Sequence, residues 1–218
     1  MLEWGIDVVA CTRFCEQPRL RHVGGTKDPD IAAIVELHPD LVVVDREENR
    51  RDDAAALEAA GLRVHVTDVV GVEDVTPTLD RLASAVGATT TPVELGPIEA
   101  SWASAFIPIW RRPWMTINAD TYGSTLLARL GVGNVFADAD GRYPAVQLDE
   151  VAARDPELVL VPTEPYTFRQ KHLDELGEAL PRARVVTVDG QDLFWWGVRT
   201  PGALARLRAV LRGEPPPR

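Results

Sequence analysis

The sequence contains few cysteines and histidines and no long apolar run. Of its 218 residues, two are cysteine and four are histidine. The cysteines, Cys11 and Cys15, lack the further nearby ligands that a zinc site needs, because only His22 lies close along the chain, so two free thiols are favoured over a disulfide or a metal pair. No apolar stretch reaches the length of a membrane span, and residues 1–5 have neither the basic nor the apolar part of a secretory signal. We therefore expect the chain, as written, to be cytoplasmic.

Basic charge is also scarce, which argues against one class of partner. The formal net charge is −10 and the isoelectric point is near 4.9. No stripe of arginine or lysine stands out along the chain. Non-specific nucleic-acid binding depends on such a surface, so the sequence argues against it.

The common catalytic motifs are missing as well. The sequence has no phosphate-binding P-loop, no G-x-G-x-x-G after a strand, no G-x-S-x-G and no H-E-x-x-H. The histidines (His22, His38, His65 and His172) are scattered, and nothing places a nucleophile beside a base. We expect a protein that is not an enzyme and has no cofactor of its own.

Strand and helix patterns alternate along most of the chain. Short, continuously apolar runs such as residues 41–44 and 158–161 are typical of parallel strands covered on both faces. The sequence therefore predicts an α/β protein. The predicted strands are residues 6–12, 41–44, 63–67, 105–109, 134–136, 158–161 and 184–188. The predicted helices are residues 30–37, 49–60, 73–86, 122–130, 148–154, 171–180 and 202–211, followed by a frayed tail over 214–218.

Two segments resemble each other at an offset of 117 residues. Residues 31–44 and 148–161 both read as an apolar helix, then proline, an acidic residue and leucine-valine, then a buried strand. A duplication of one lobe would explain this internal similarity, and so would chance convergence, since such helix–strand junctions are common. We expect an N-terminal α/β lobe over residues 1–72, a helical linker over 73–102 and a C-terminal α/β lobe over 103–218.

Aromatic and arginine side chains are concentrated in the stretch 108–122, P-I-W-R-R-P-W-M-T-I-N-A-D-T-Y. It lies between a predicted strand and a predicted helix, where open α/β sheets bind ligands. Flat rings with fixed cations suit a large, partly planar and partly anionic ligand. The alternative is that the tryptophans are core or lid residues and the arginines are solvated.

Similar residues follow other predicted strands. If the strands are parallel, these loops meet at one edge, where exposed aromatics indicate a binding surface. The candidate ligand-binding residues are Arg13, Phe14, Trp110, Arg111, Trp114, Tyr166, Trp195 and Trp196.

Several motifs together resemble one known superfamily. They are T-R-F-C-E-Q-P at 12–18, V-G-G-T-K-D-P at 23–29, H-P-D-L-V-V-V at 38–44, R-E-E-N at 46–49, W-R-R-P-W-M at 110–115, A-D-T-Y at 119–122 and N-V-F at 134–136. The chain resembles, over about residues 6–211, the helical-backbone metal receptors. These are class III periplasmic-binding-protein-like proteins, the substrate-binding proteins of ABC importers for cobalamin and iron siderophores. The cobalamin-binding branch is the most similar.

The resemblance implies two α/β lobes, a ligand such as cobalamin or another metal chelate in a cleft between them, and an ABC permease with its ATPase as partner. Any metal would arrive inside the ligand, and a monomer is expected. Glu47, Glu48 and Glu164 become candidates for docking to the permease, although solvated surface charge explains each of them equally well. The alternatives are a cytoplasmic regulatory or interaction domain that keeps the fold and, less favoured, an enzyme acting on a corrinoid-like cofactor.

The sequence departs from this superfamily in three respects. The first strand of the N-terminal lobe is expected to be missing. The linker is expected to be short, because it is interrupted by Pro77, Pro92 and Pro97. The export signal is not seen, so the protein would be extracytoplasmic or membrane-anchored only if the true start lies upstream.

Overall fold

The chain divides into two compact units, each described below by itself. A computed structural model describes residues 1–214. One unit comprises Met1–Asp68 and Thr76–Pro92, and the other comprises Val69–Val75 and Val93–Arg218. Residues 73–102 are shared between the two units, so the linker stays a prediction. The predicted tail lies, beyond Glu214, outside the described residues.

Parallel strands alternate with helices in both units, which confirms the predicted α/β class. The strands are β1 (Ala10–Cys11), β2 (Arg21–His22), β3 (Val42–Asp45), β4 (Val64–Thr67), β5 (Ala103–Phe106), β6 (Trp114–Met115), β7 (Val132–Asn134), β8 (Ala145–Val146), β9 (Leu158–Pro162) and β10 (Arg184–Val188). The helices are α1 (Ile31–Glu36), α2 (Arg51–Ala59), α3 (Val75–Ala85), α4 (Tyr122–Arg129), α5 (Leu148–Ala153), α6 (Gln170–Ala179), α7 (Gly190–Phe194) and α8 (Thr200–Arg212).

The first unit contains two small parallel sheets. β1 pairs with β2, and β3 pairs with β4 from Val42 opposite Val64 to Asp45 opposite Thr67. The strand predicted over residues 6–12 is shorter than expected, and β2 was not predicted. At the start of α1, Asp30 provides the N-cap by accepting the N–H of Ala33 at 2.9 Å, while the carboxylate of Asp28 is held by Arg13 at 2.8 Å.

A cavity of about 770 Å³ lies within the first unit. It is bordered by residues of β1 and β3 but not by their partners β2 and β4. Among the described residues, β1 and β3 each have one edge without a strand partner, and these two strands line the cavity. The space also contains one carboxylate oxygen, Oδ2 of Asp53, that is buried without a partner in the described structure.

We expect the first unit to open more readily than the second. Its buried apolar cluster consists of only Val23, Ile34, Val44 and Leu57 among the described residues. Two-stranded sheets over so small a core are marginally stable. In native-state hydrogen exchange, amides of β3 and β4 should be protected on the order of tenfold less than those of β5 and β9. Equal protection of the two sets would contradict this expectation.

The second unit is built on one four-stranded sheet in the order β10-β9-β5-β7, with every pairing parallel. All five residues of β9 are buried, as its continuous apolar sequence predicts. Phe106, Phe136 and Leu176 lie in the core cluster beside this sheet and are fully buried. Because the strands are parallel, the loops after β5, β9 and β10 leave the sheet at the same edge.

The two echoing segments have the same local structure. In each, a six-residue helix (α1 or α5) is followed by a turn and then by a strand (β3 or β9). β9 is buried throughout, whereas β3, predicted to be covered on both faces, is buried only at Val44. The turn residues His38 and Asp155 stand 117 positions apart, and each adopts φ of 47° in the left-handed region. That region is uncommon for residues other than glycine, so the similarity extends from sequence to backbone conformation.

Candidate ligand-binding site

A hairpin after β5 presents Trp110. The N–H of Ile109 donates to the carbonyl of Met115 at 2.9 Å, and the N–H of Met115 donates to the carbonyl of Trp110 at 3.2 Å. β6 then pairs antiparallel with β8, which places Trp114 opposite Val146. The sequence predicts a simple loop here, because the short ladder depends on residues 145–146, which are distant in sequence. The hairpin holds Trp110 with 45% of its surface exposed.

Trp110 lies at the exposed end of a row of rings. Its centroid is 5.1 Å from that of Tyr166 in an edge-on arrangement, and Tyr166 lies 4.8 Å from Phe168. Phe168 in turn stacks on Trp114 at 5.9 Å with 7° between the planes. We call Trp110, Tyr166, Phe168, Trp114 and His172 the aromatic cluster. The row connects the exposed Trp110 to the core, so Trp110 has a rigid base.

Two members of the aromatic cluster, Phe168 and His172, were missed by sequence reasoning. His172 is 8% exposed and its Nδ1 accepts the backbone N–H of Arg169 at 3.0 Å, which caps the start of α6. Burial, followed by the charges of Lys171 and Arg111, holds the pKa of His172 below its usual value. The ring is therefore neutral near pH 7, with Nδ1 as the acceptor. Phe168 and His172 are four residues apart across the start of a predicted helix, and this spacing could have indicated that their rings lie close together.

Two predicted ligand contacts make side-chain contacts within the second unit, Trp114 as a buried residue and Arg111 as a half-buried one. Trp114 is 5% exposed and lies in the core cluster, so its ring supports the hairpin and does not face solvent. Arg111 donates two hydrogen bonds to Glu175, at 2.6 and 3.1 Å, and its guanidinium lies 4.7 Å from the centroid of Trp114. The Arg111 guanidinium therefore already uses its hydrogen-bond donors on Glu175 and its charge on the Trp114 ring, both within this unit.

The loops after β9 and β10 are joined through Glu164. Its carboxylate accepts the indole N–H of Trp195 at 2.5 Å, and Gly190 passes so close that an added Cβ would lie 2.4 Å from the Glu164 side chain. Arg199 lies 5.7 Å from the Trp195 ring, while Trp195 and Trp196 are each half-buried. The structure therefore brings Trp110, Tyr166 and Trp195 to the edge of the sheet where these loops emerge, and Trp196 is the next residue after Trp195.

Arg199 is a further residue of this region that the list of candidates omitted. It donates to Asp192, which is 2% exposed, at 3.1 Å, and Arg206 donates to the same carboxylate at 2.6 and 2.8 Å. The remaining Nη1 of Arg199 is buried without a partner among the described residues. Asp192 therefore fixes the arginine that lies beside Trp195.

The remaining candidates belong to the first unit. Arg13 is ion-paired with Asp28 and lies 5.0 Å from the ring of Phe14, which is 57% exposed. Glu47 and Glu48 follow β3 on the surface, and their backbone N–H groups donate to the Asp45 carboxylate at 3.0 and 3.3 Å. These residues lie on loops at the carboxyl ends of β1 and β3, as predicted.

The described residues hold no cluster of three or more histidine, cysteine, aspartate or glutamate side chains that could bind a metal ion. Across residues 1–214, none of the helices combines the length and apolarity that crossing a bilayer requires.

The fold is shared with proteins of known structure. No known family model matches the chain. Its fold is that of the two-lobed periplasmic binding proteins: the BtuF vitamin B12-binding protein of Vibrio cholerae superposes with a TM-score of 0.73 at 17% identity, over 94% of this chain and 88% of that one. A periplasmic heme-binding protein, BhuT in complex with two hemes, gives a TM-score of 0.75 at 20% identity over the same shares.

A curated relative is also similar in sequence. The vitamin B12-binding protein of Salmonella typhimurium (strain LT2) is 27% identical over 174 residues, covering 72% of this chain and 65% of the relative. The chain thus spans about two thirds of the length of this curated relative. The comparisons confirm the resemblance to class III binding proteins and their cobalamin branch. The three proteins are named for the binding of vitamin B12 or heme, and none is named as an enzyme.

Proposed function

We propose that the chain is the substrate-binding protein of an ABC importer and that it binds cobalamin or a related flat metal chelate such as heme. The observation that carries the proposal is the exposed Trp110, which rests against Tyr166 on a rigid aromatic base at the edge of the sheet where the loops after β5 and β9 emerge. Its relatives named for vitamin B12 and heme binding support the same class of ligand.

The chemistry of this edge suits a large ring system. Trp110 offers an exposed π-face, and the half-buried rings of Trp195 and Trp196 add apolar surface. The Arg199 guanidinium, 5.7 Å from the Trp195 ring, adds a positive charge beside this apolar surface, which suits a partly anionic ligand. Arg111 and Trp114 hold the hairpin in place and do not contact ligand in this proposal. Arg13 and Phe14 of the first unit remain predicted contacts.

Glu47 and Glu48 are the better candidates for docking to a permease. Both side chains are exposed on a loop, where a charged partner surface can reach them. Glu164 is half-buried and accepts the indole N–H of Trp195, so we assign it to positioning that ring. The relatives described as periplasmic favour an extracytoplasmic site of action and give no support to the cytoplasmic reading.

The test is a titration of the purified protein with cyanocobalamin, hemin and a ferric siderophore, followed by calorimetry because these ligands absorb light. We expect saturable binding of one of them, with quenching of tryptophan fluorescence. A folded protein that binds none would contradict the proposal and favour a regulatory or interaction role. Phe14→Ala, measured with the ligand that binds, tests whether the first unit contributes.

A further inference from the structure

His172 lies where the aromatic cluster meets the start of α6. The cluster is part of the proposed binding site, because Trp110 at its exposed end rests on Tyr166 with 5.1 Å between the ring centroids. We propose that neutral His172 is a positioning residue of this site, an inference that rests on the proposed function. It holds the segment that carries Tyr166 and Phe168, and its protonation releases this segment and weakens ligand binding.

Two hydrogen bonds join His172 to Arg169, the residue that precedes α6. The backbone N–H of Arg169 donates to Nδ1 of His172 at 3.0 Å, and the backbone N–H of His172 donates to the carbonyl of Arg169 at 2.8 Å. His172 thus closes the first turn of α6, as glutamate or glutamine does at the third position of a capping box. Because Nδ1 accepts only while it carries no proton, the first of these bonds requires this neutral imidazole.

The imidazole also contacts two rings of the preceding segment. Its centroid lies 5.7 Å from that of Tyr166 and 6.1 Å from that of Phe168, whose plane stands at 89° to it. Both rings belong to the three residues directly before Arg169, and the N–H of Phe168 donates to the carbonyl of Tyr166 at 3.1 Å. Loss of the cap at Arg169 therefore acts on the segment against which Trp110 rests.

The surroundings of His172 disfavour a proton on its ring. The side chain is 8% exposed, and burial is the largest cause that holds the pKa of His172 below its ordinary value. The charges of Lys171, Arg111 of the hairpin and Arg169 lower this pKa further. Glu175 of α6 raises it, but this carboxylate already has a cationic partner in Arg111, at 2.6 Å.

Acid should therefore remove the form that binds ligand. Above the ordinary histidine pKa the ring is neutral and the cap is present. As the pH falls through the lowered pKa of His172, the ring gains a proton and the N–H of Arg169 loses its acceptor. A ligand that prefers the capped form must lower the pKa of His172 further when it binds, because such coupling is reciprocal.

The first test measures the affinity for cyanocobalamin and for hemin by calorimetry at about pH 7.5 and about pH 5, on either side of an ordinary histidine pKa. For the chelate that binds, we expect about fivefold weaker binding at the lower pH. An affinity that is unchanged between the two pH values would overturn the proposal.

His172→Gln is the variant that separates positioning from simple packing. Glutamine at this helix position accepts the N–H of the capping residue without titrating. At the higher pH its affinity should stay within about twofold of that of the unsubstituted protein, and most of the pH dependence should be lost. The titration of the ligand itself is common to both proteins, so their difference isolates His172. The same pH dependence in both proteins would overturn the proposal.

A measurement without ligand distinguishes a failure of this inference from a failure of the proposed function. Nuclear magnetic resonance of the free protein follows the imidazole of His172, the amide of Arg169 and the ring of Tyr166 as the pH is lowered. We expect the three signals to change with one midpoint, below the ordinary histidine pKa. An Arg169 amide that does not respond would overturn the inference. A shared midpoint without binding of either chelate would contradict the proposed function but support the His172 switch.

Discussion

Replacing Trp110 by alanine should weaken ligand binding by roughly 30-fold or more while leaving the protein folded. Trp110 is 45% exposed and rests edge-on against Tyr166, so its ring offers a large contact surface at little ordering cost. Its hydrogen bonds within the hairpin are made by the backbone, through its carbonyl to Met115, and survive the substitution. Calorimetry with the bound ligand gives the affinity, and circular dichroism reports the fold.

A matched control is Ile98→Ala. Ile98 is also a large exposed apolar side chain, at 70%, but it precedes β5 and thus lies toward the other end of the strand. We expect the ligand affinity of the Ile98→Ala variant to stay within about twofold of that of the unsubstituted protein. Trp196→Ala should lower affinity as Trp110→Ala does. Unchanged affinity in both tryptophan variants would rule out the site.

Replacing Asp192 by asparagine should destabilise the second unit by about 3 kcal/mol. The carboxylate is 2% exposed and accepts hydrogen bonds from both Arg199 and Arg206. The variant leaves these two cations close together without their shared counter-charge. The partial exposure of the arginine side chains, 28% and 39%, moves the expected cost to the low end of the range for buried pairs.

Calorimetric unfolding measures this change, and Glu99→Gln is the control. Glu99 pairs with Arg208 and Arg212 on the same helix, α8, as Arg206, but this network is more exposed. We expect its loss to cost about 1 kcal/mol or less. Similar melting temperatures for the two variants would contradict a special role for Asp192. Asp192→Asn should also alter the fluorescence of Trp195, because Arg199 lies beside that ring.

Short-range patterns in the sequence were sufficient for the architecture. Continuous apolar runs alternating with helical spacing predict parallel strands, and β9 and β10 pair in this way from Leu158 opposite Arg184 onward. Parallel pairing then requires that loops following the strands share one edge, so the region of the site was predictable. β2, β6 and β8 were not predicted, because strands of two residues carry too little pattern to be recognised.

The roles of individual side chains depended on tertiary contacts. Trp110 and Trp114 flank the same pair of arginines, and nothing local distinguishes them. β6 pairs with residues 145–146, some thirty positions away, and this pairing buries Trp114 and leaves Trp110 exposed. In the same way Glu175, which is distant in sequence, engages Arg111, and Trp195 engages Glu164. The sequence by itself thus determined the α/β class and the edge of the sheet at which the proposed site lies. Only the tertiary structure decided which rings and charges remain available there, because burial and ion pairing are set by neighbours far along the chain.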